Sequence, residues 1–346
     1  MKVLTTSLVC LSLFSAGAHA GDINVPGDFP TIQQAIDNAA ANDTILIASG
    51  TYPENVNVDV AGLRLVGVNK QVIIDGGGAG NGVTVSSVSS VTLEKLRIMN
   101  ATVAISVTGD RCVVSRCKVS DSGAGLVIVG NENLVEKSKF LNLQGTGATV
   151  TGSSNLITNN RFDAPGSEGV LLLAGGNVVE GNRIEGGANR GVFVSGGQGN
   201  LVSSNDIRSV GVGILVATNR TTVFDNSIRD TQNEGIKVDV DDNAIQGNSV
   251  KKAGFSGISL DESGLNLVAG NKVRKSGFHG IELFLSDANV VHDNNVKKSA
   301  GDGLSIDGDL NLVTSNFARK SASLDLNEVS GPSNVYLAND VQTSNL

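Results

Sequence analysis

Aromatic side chains and clustered cations are scarce in this chain. Its 346 residues contain no tryptophan and only 2 tyrosines. Sugar rings in binding sites usually lie against aromatic side chains, so the sequence offers few candidates for a sugar platform. It has no extended Lys/Arg-rich run, and its formal net charge is -8. Because phosphate backbones are bound through clusters of cations, a nucleic acid is not an expected partner.

Cysteine is also scarce and is not predicted to form disulfides. Of the 3 cysteines, Cys10 lies in the N-terminal apolar segment, and only Cys112 and Cys117 lie further along the chain. Five residues of extended chain span about 16 Å, whereas the Cα atoms of a disulfide lie within roughly 7 Å of each other. We therefore expect Cys112 and Cys117 to be buried and unpaired. His279 and His292 are isolated, and no metal-ligand spacing links them.

A long apolar run occurs only at the N-terminus. Met1 and Lys2 form a basic start, residues 3–16 are mostly apolar, and Ala18-His19-Ala20 is a small-x-small cleavage site. This pattern is typical of a secretory signal peptide, which we assign to residues 1–20, leaving residues 21–346 as one domain. No later run approaches the 18 or so apolar residues of a membrane span. We expect a secreted or periplasmic protein without a transmembrane segment.

Repetition dominates the rest of the sequence. An Asn, two apolar residues and a second Asn five positions after the first return about every 22 residues. The first column reads Val91, Cys112, Asn133, Asn155, Asn177, Asn200, Thr221, Asn243, Asn266, Asn289, Asn311 and Asn334. The second reads Leu96, Cys117, Ser138, Asn160, Asn182, Asn205, Asn226, Asn248, Asn271, Asn294, Asn316 and Asn339. A fixed period of this length indicates a solenoid.

The residue types indicate which kind of solenoid this is. A glycine column is followed by alternating segments such as Gly191-Val192-Phe193-Val194, in which the first and third residues after the glycine point inward. Segments rich in Val and Ile with this period favour strands. Asparagine suits recurrent bends because it tolerates left-handed backbone angles. The sequence therefore predicts an all-β, single-stranded parallel β-helix of about 13 coils, each touching only its neighbours.

The segment before the repeats differs from them. Thr31 and Gln34 form a capping box, and Ile32, Ala35 and Ile36 begin an apolar stripe with helical spacing. We assign residues 21–43 to an N-terminal cap region that contains this short amphipathic helix. An open solenoid end would expose both the core and unpaired backbone groups, so the predicted role of the helix is structural.

The chain resembles a known superfamily. The segments FPTIQQAIDNAA at 29–40, DTILI at 43–47 and GTYPENV at 50–56 resemble the opening of secreted right-handed β-helix proteins of the pectin-lyase-like superfamily. The Asn-rich coils are similar to the parallel β-helix repeats of its carbohydrate-binding and sugar-hydrolysis domains and of NosD-like periplasmic accessory proteins. This resemblance implies a right-handed helix over nearly all of the mature chain.

The residues that match are scaffold residues, so the resemblance implies no catalytic residue. The Asp-Pro-His-Asp run of mannuronan epimerases is missing, as is the aspartate motif of pectin methylesterases. Of the four polygalacturonase motifs, only Asp241-Asp242 and His279-Gly280 bear a faint likeness to two.

One outward face carries apolar candidates for binding. Two positions after the column glycines, the alternation directs Leu171, Phe193 and Leu215 outward. Because an outward apolar patch usually marks a contact, we expect these residues to be covered by a polysaccharide or by a second subunit.

The later coils place charges on the same face. Lys237 and Glu282 continue the apolar column, while Asp239, Asp261 and Asp307 follow two positions later. Asp239 and Asp261 are one coil apart, or about 5 Å, in a parallel β-helix. Such close like charges favour a shared proton or a bound cation. We name Asp239, Asp261, Lys237 and Glu282 as candidate catalytic residues, Asp239 and Asp261 as candidate Ca²⁺ ligands, and Asp307 as a candidate binding residue.

The alternative interpretation of these charges is a solvated acidic stripe with Lys237 as its counter-ion. Three functional hypotheses remain. The leading one is a secreted protein that interacts with an acidic extracellular polysaccharide, with modification of lyase or epimerase type left open. The others are a non-catalytic surface or structural binding protein and a NosD-like periplasmic accessory protein. Fold alone does not distinguish them.

Overall fold

Three long parallel sheets form the molecule. The computed structural model describes residues 20–331 and 333–346, so the predicted signal peptide lies, except for Ala20, outside the described residues. The sheets contain 15, 14 and 13 strands. The solenoid therefore has about 14 turns, one more than predicted. Along each turn the chain passes through sheet 1, sheet 2 and sheet 3 in that order.

Sheet 1 has fifteen strands. They are Asp22–Val25, Thr44–Ile47, Arg64–Gly67, Thr92–Glu94, Val113–Ser115, Leu134–Glu136, Leu156–Thr158, Val178–Glu180, Leu201–Ser203, Thr222–Phe224, Ala244–Gln246, Leu267–Ala269, Val290–His292, Leu312–Thr314 and Val335–Leu337.

Sheet 2 has fourteen strands. They are Gly50–Tyr52, Val72–Asp75, Arg97–Met99, Lys118–Ser120, Lys139–Leu143, Arg161–Pro165, Arg183–Glu185, Asp206–Arg208, Ser227–Arg229, Ser249–Lys251, Lys272–Arg274, Asn295–Lys297, Phe317–Arg319 and Asp340–Val341.

Sheet 3 has thirteen strands. They are Val56–Val58, Asn81–Val85, Val103–Val107, Ala124–Ile128, Ala148–Val150, Glu168–Leu172, Arg190–Val194, Val212–Val216, Ile236–Val238, Ile258–Asp261, Ile281–Phe284, Leu304–Asp307 and Leu326–Ser330.

Apolar alternation builds the core, and asparagine amides connect the turns. In the strand Ile236–Val238 the two end residues are fully buried while Lys237 points outward. At the first bend, Oδ1 of Asn155 accepts hydrogen bonds from the backbone N–H of Asn133 at 2.9 Å and from its side-chain amide at 3.0 Å. These buried amides replace the water that the bend's backbone groups would otherwise need.

The N-terminal helix closes the first end of the solenoid. Helix α1 spans Ile32–Asp37, and its N-cap residue Thr31 accepts a hydrogen bond from the backbone N–H of Gln34 at 3.2 Å, as the capping box predicts. The predicted cap region also contains a strand that the sequence did not indicate. This strand, Asp22–Val25, pairs with Thr44–Ile47 and so begins sheet 1.

Two further expectations concern cysteine and the membrane. Cys112 and Cys117 are both buried and unpaired, as their separation on one coil predicts. Among the helices of residues 20–331 and 333–346, none has both the length and the apolar character needed to span a bilayer.

Candidate functional site on sheet 3

The outer face of sheet 3 arranges the predicted residues in two adjacent columns. The first outward column contains, on successive strands, Leu171, Phe193, Leu215, Lys237, Ser259, Glu282 and Ser305. In the second, Asp261 is the direct partner of Phe284. Asp239, which immediately follows the strand Ile236–Val238, precedes them in this column by one turn. Residues distant in sequence therefore lie side by side every 4.8 Å or so.

Gly280 lies at a tightly packed corner next to the outer face of sheet 3. A Cβ atom at Gly280 would lie 2.2 Å from Cγ1 of Val296 and 2.4 Å from the carbonyl oxygen of Gly303. Any side chain there would push the corner away from the core. Glycine therefore keeps this corner close to the core, and the preceding residue, His279, lies at the corner just before the strand Ile281–Phe284.

Lys237 joins the two predicted aspartates. Its Nζ atom lies 3.2 Å from Oδ1 of Asp239 and 3.1 Å from Oδ2 of Asp261. Burial alone would lower the pKa of Lys237, but the hydrogen bonds and charges of Asp261 and Asp239 outweigh burial and raise that pKa above its ordinary value. Lys237 is therefore positively charged at neutral pH and occupies the space between the carboxylates.

The Ca²⁺ assignment stays a prediction. Within residues 20–331 and 333–346, no three His, Cys, Asp or Glu side chains are grouped as a metal site requires. A calcium ion held by Asp239 and Asp261 would compete with the ammonium group of Lys237 for the same oxygens.

Glu282 is held by two hydroxyl groups. Its Oε2 atom accepts a hydrogen bond from Oγ of Ser256 at 2.6 Å and lies 3.4 Å from Oγ of Ser259. Ser256 is fully buried, so its hydroxyl fixes one oxygen of the carboxylate from below. Oε1 of Glu282 makes no hydrogen bond to any residue in the described part of the chain, and this atom is not buried. This oxygen is therefore available to a bound molecule.

His279, which the sequence analysis treated as an isolated histidine, lies beside Glu282 at this site. Its imidazole Nδ1 accepts a hydrogen bond from the backbone N–H of Asp302 at 3.0 Å, and its side chain is 12% exposed. The Asp302 carboxylate in turn accepts bonds from the backbone N–H of Leu324 and the amide of Asn327, both at 2.9 Å. Nδ1 also lies 3.4 Å from Oδ2 of Asp302. An imidazole whose Nδ1 accepts a hydrogen bond has Nε2 as its N–H donor.

Exposed phenylalanine rings flank the charged residues on both sides. Phe255 and Phe278 lie in the turns just before sheet 3 and stack with ring centroids 4.8 Å apart. They are 43% and 38% exposed, and Phe278 also contacts His279, with centroids 3.8 Å apart. Phe284, beside Asp261, is 45% exposed. The fold thus assembles an aromatic surface from three of the chain's 10 phenylalanines.

The apolar half of the face is less open than predicted. The guanidinium of Arg190 lies 4.5 Å from the ring centroid of Phe193 and so covers it. Leu215 is only 8% exposed, because it lies in its column between the longer side chains of Phe193 and Lys237. Leu215 is therefore not the surface residue that we expected, and Leu171 is half-buried. A binding role for these three residues stays a prediction.

Asp307 lies at the far end of the second column. Its strand pairs with Leu326–Ser330 through a bulge between Ile306 and Asp307, and its carboxylate accepts a hydrogen bond from Ser330. Phe284 occupies the turn between Asp261 and Asp307. Asp307 is thus on the predicted face but separated from the other carboxylates.

Two protein families match this sequence. Residues 68–207 match the family described as "Right handed beta helix region". The chain has the right-handed parallel β-helix fold of pectin-lyase-like proteins. Residues 188–336 of this β-helix match the family described as "Periplasmic copper-binding protein (NosD)". No curated protein sequence matches the chain.

Solved structures of sugar-active proteins share the β-helix. The A-module of the mannuronan C-5 epimerase AlgE6 from Azotobacter vinelandii aligns with a TM-score of 0.63 at 14% identity, covering 89% of this chain and 94% of its own. A mannuronic acid-specific family 6 polysaccharide lyase from human gut microbiota aligns with a TM-score of 0.64 at 14% identity, covering 92% and 83%. At such identities the similarity establishes the fold alone.

The residues that sequence reasoning missed share one signal. His279, Ser256 and Asp302 each stand immediately before a glycine or its column equivalent. The alternating pattern after each glycine identifies the strand. The residue before each glycine lies at the corner and is not part of that pattern. Aligning the repeats on their glycines and inspecting this preceding column would have placed His279 next to Ser256.

Proposed function

We propose that this protein is exported, binds an acidic polysaccharide along the outer face of sheet 3, and modifies it by removing the proton next to a uronate carboxylate. One observation carries the proposal. Within three successive turns, Glu282, His279 and the ion-paired set of Lys237, Asp239 and Asp261 (the Lys237 group) lie between exposed phenylalanine rings. The face therefore combines a carboxylate, a proton donor, a fixed cation and apolar ring surfaces.

The orientation of the side chains assigns their chemical roles. Glu282 has one oxygen engaged by serines and one open, so it is the candidate base. The Nδ1 lone pair of His279 is occupied by a backbone N–H, so its protonated Nε2 is a donor rather than a base. As the proton leaves, negative charge develops on the sugar's carboxylate, and nearby donors and the Lys237 ammonium stabilise it. Lyase and epimerase reactions share this first step.

The comparisons support the same class of substrate. Proteins with this fold include a mannuronan epimerase and a mannuronic acid-specific lyase, and the NosD family is described as periplasmic. The exposed rings of Phe255 and Phe278 offer the ring surface that sugars favour. We therefore place the protein in the periplasm or outside the cell, acting on a polyuronate.

The decisive experiment is a screen of the purified mature protein on sodium alginate, polymannuronate and polygalacturonate, with and without Ca²⁺. A lyase would generate ultraviolet absorbance from unsaturated products, and an epimerase would change the sugar proton spectrum in NMR. We expect one of these signals and measurable binding of the same polymer by calorimetry. Binding without turnover would leave the non-catalytic binding protein, and neither binding nor turnover would refute the proposal.

Removing either aspartate from the Lys237 group should slow the reaction. With Asp239→Asn or Asp261→Asn, Lys237 retains one carboxylate partner and is less well held. We expect kcat to fall by at least about tenfold, or about 1.4 kcal/mol, for each variant. KM should not rise, because a negative charge has been removed from a surface that binds an anion. The same tenfold loss applies to Ca²⁺ affinity if the wild type binds this ion.

Asp225→Asn is the matched control for these variants. Asp225 is exposed in a turn after sheet 1 and should leave kcat unchanged. If Asp239→Asn and Asp261→Asn both retain full activity, the group on sheet 3 is a solvated stripe.

The NosD match favours a second candidate, a periplasmic accessory protein that binds copper. Its test is titration of the mature protein with Cu⁺ and Cu²⁺, followed by gel filtration and metal analysis. Stoichiometric copper retained by a protein that neither binds nor alters any polyuronate would select this second candidate.

A further inference from the structure

A column of cations follows the end of sheet 2, around the corner from the candidate site. On four successive turns two basic residues stand together: Lys251 and Lys252, Arg274 and Lys275, Lys297 and Lys298, and Arg319 and Lys320. The first members of these pairs are direct strand partners, so the charges stack in register. We call these eight residues the basic ladder.

Few acidic groups neutralise the basic ladder. Among the described residues, its ion pairs are those of Lys252 with Asp230, at 3.2 Å, and of Arg319 with Asp340. Lys297 instead lies 4.5 Å from the ring centroid of Phe317. The remaining side chains face solvent next to other cations, and like charges directly opposite each other across strands repel.

Earlier turns of the same sheet show a different arrangement. There Arg161 pairs with Asp163 at 2.5 Å, and Arg183 pairs with Glu185, on their own strands. Each of these arginines thus has an acid two residues away. Sheet 2 therefore neutralises these two arginines in the middle of the solenoid, whereas most cations of the basic ladder have no ion-pair partner among the described residues.

The second lysine of each pair lies at a corner with left-handed backbone. Lys252, Lys275, Lys298 and Lys320 have φ values of 57°, 59°, 64° and 62°. This left-handed conformation is unfavourable for lysine and suits Asn or Gly. The corresponding corners of earlier turns hold Asn100, Asp121, Asn142, Ala164, Gly186, Ser209 and Asp230, all with positive φ. Of these turns, only the four of the basic ladder place a lysine at the corner.

The geometry suits a linear polymer with regularly spaced negative charges. The pairs repeat every 4.8 Å or so along a straight line parallel to the solenoid axis. A chain laid along this line would contact one pair per turn and relieve the repulsion between turns. A duplex nucleic acid fits less well, because its phosphates are about 3.4 Å apart along each strand and wind around the duplex axis rather than following a straight line.

We propose that the basic ladder is a second binding site, which holds a linear polysaccharide with regularly spaced carboxylates. This site is separate from the outer face of sheet 3 and does not depend on catalysis there. It lies three residues before the stacked phenylalanines, since Lys252 and Lys275 precede Phe255 and Phe278 by that interval. A polymer bound to the ladder would thus be retained beside sheet 3.

The test compares the wild-type mature protein with the double variant Lys275→Asn/Lys298→Asn. Binding of sodium polygalacturonate and sodium alginate is measured by calorimetry at low salt, with neutral dextran as the reference polymer. We expect at least about tenfold weaker affinity in the variant for one of the acidic polymers, since two charges are lost. The thermal midpoint should be equal or higher, because asparagine tolerates the left-handed backbone.

The control for total charge is Lys95→Asn/Lys137→Asn. These lysines also have positive φ, 58° and 51°, but lie at the corner between sheets 1 and 2 and are ion-paired with Glu94 at 3.1 Å and Glu136 at 2.9 Å. An equal loss of affinity in the control would overturn the proposal, because binding would then depend only on total charge. Lys275→Arg/Lys298→Arg keeps the charge and should keep the affinity. Weak binding by this variant would count against the ladder as well.

Two further measurements test the kind of polymer bound and the independence of the ladder from sheet 3. A short DNA duplex that bound the wild type as tightly as polygalacturonate would refute the assignment to an acidic polysaccharide. Glu282→Gln should leave the ladder's contribution unchanged, so the double variant must weaken binding equally in that background. The experiment thus distinguishes a wrong assignment of the reaction on sheet 3 from a wrong assignment of polymer binding to the basic ladder.

Discussion

Replacement of Glu282 by glutamine should reduce kcat by about 10² to 10⁴ on any polyuronate that the protein alters, with little change in KM. Glutamine has nearly the same shape and still accepts the hydrogen bond from Ser256. It cannot take up the proton that the reaction removes. The measurement is steady-state kinetics by product absorbance, or by NMR for an epimerase.

Glu180→Gln provides the control for this result. Glu180 is exposed at the end of a strand of sheet 1, so the same chemical change there should not alter kcat. Activity of Glu282→Gln within threefold or so of the wild type would exclude Glu282 as the base, because a general base contributes at least about a hundredfold.

Asn226→Leu should destabilise the repeats, because Asn226 lies in the buried asparagine column. Oδ1 of Asn226 accepts bonds from the backbone N–H of Asn205 at 3.0 Å and from its amide at 2.9 Å. Its own amide donates to the carbonyl of Val202 at 2.8 Å and to Asn248 at 3.0 Å. Leucine would leave several of these buried groups unpaired, and we expect unfolding to become easier by about 3 kcal/mol.

Chemical denaturation followed by circular dichroism measures this loss. Asn233→Leu is the comparison, because Asn233 is exposed in a turn on the same coil, and surface changes usually lie within about 0.5 kcal/mol. An unchanged denaturation midpoint for Asn226→Leu would show that the buried amide bonds do not stabilise the turns.

Much of the fold could be predicted from individual residues. The asparagine and glycine columns repeat because every turn must pack in the same way, so the same pattern occurs in twelve turns of the sequence. The capping box at Thr31 was equally predictable, because its hydrogen bond joins residues only three positions apart. The strand Asp22–Val25 escaped notice because a single edge strand has no repeat to reveal it.

The candidate site was only partly predictable. The column rule placed Lys237, Asp239 and Asp261 together, and they are in contact. The rule could not show that Lys237 would occupy the space between the carboxylates, since that depends on side-chain rotamers. It also could not show the burial of Leu215 or the role of His279, which depend on the neighbouring turns.

The sequence by itself determined the parallel β-helix, its period, its capping helix and the two outward columns of sheet 3. These follow from local conformational preferences and from an apolar pattern repeated along the chain. The tertiary structure alone decided which side chains from different turns touch. Residues 22 or 23 positions apart become neighbours only when the turns stack. This stacking joined Ser256 to Glu282, paired Phe255 with Phe278, and aligned scattered lysines into the basic ladder.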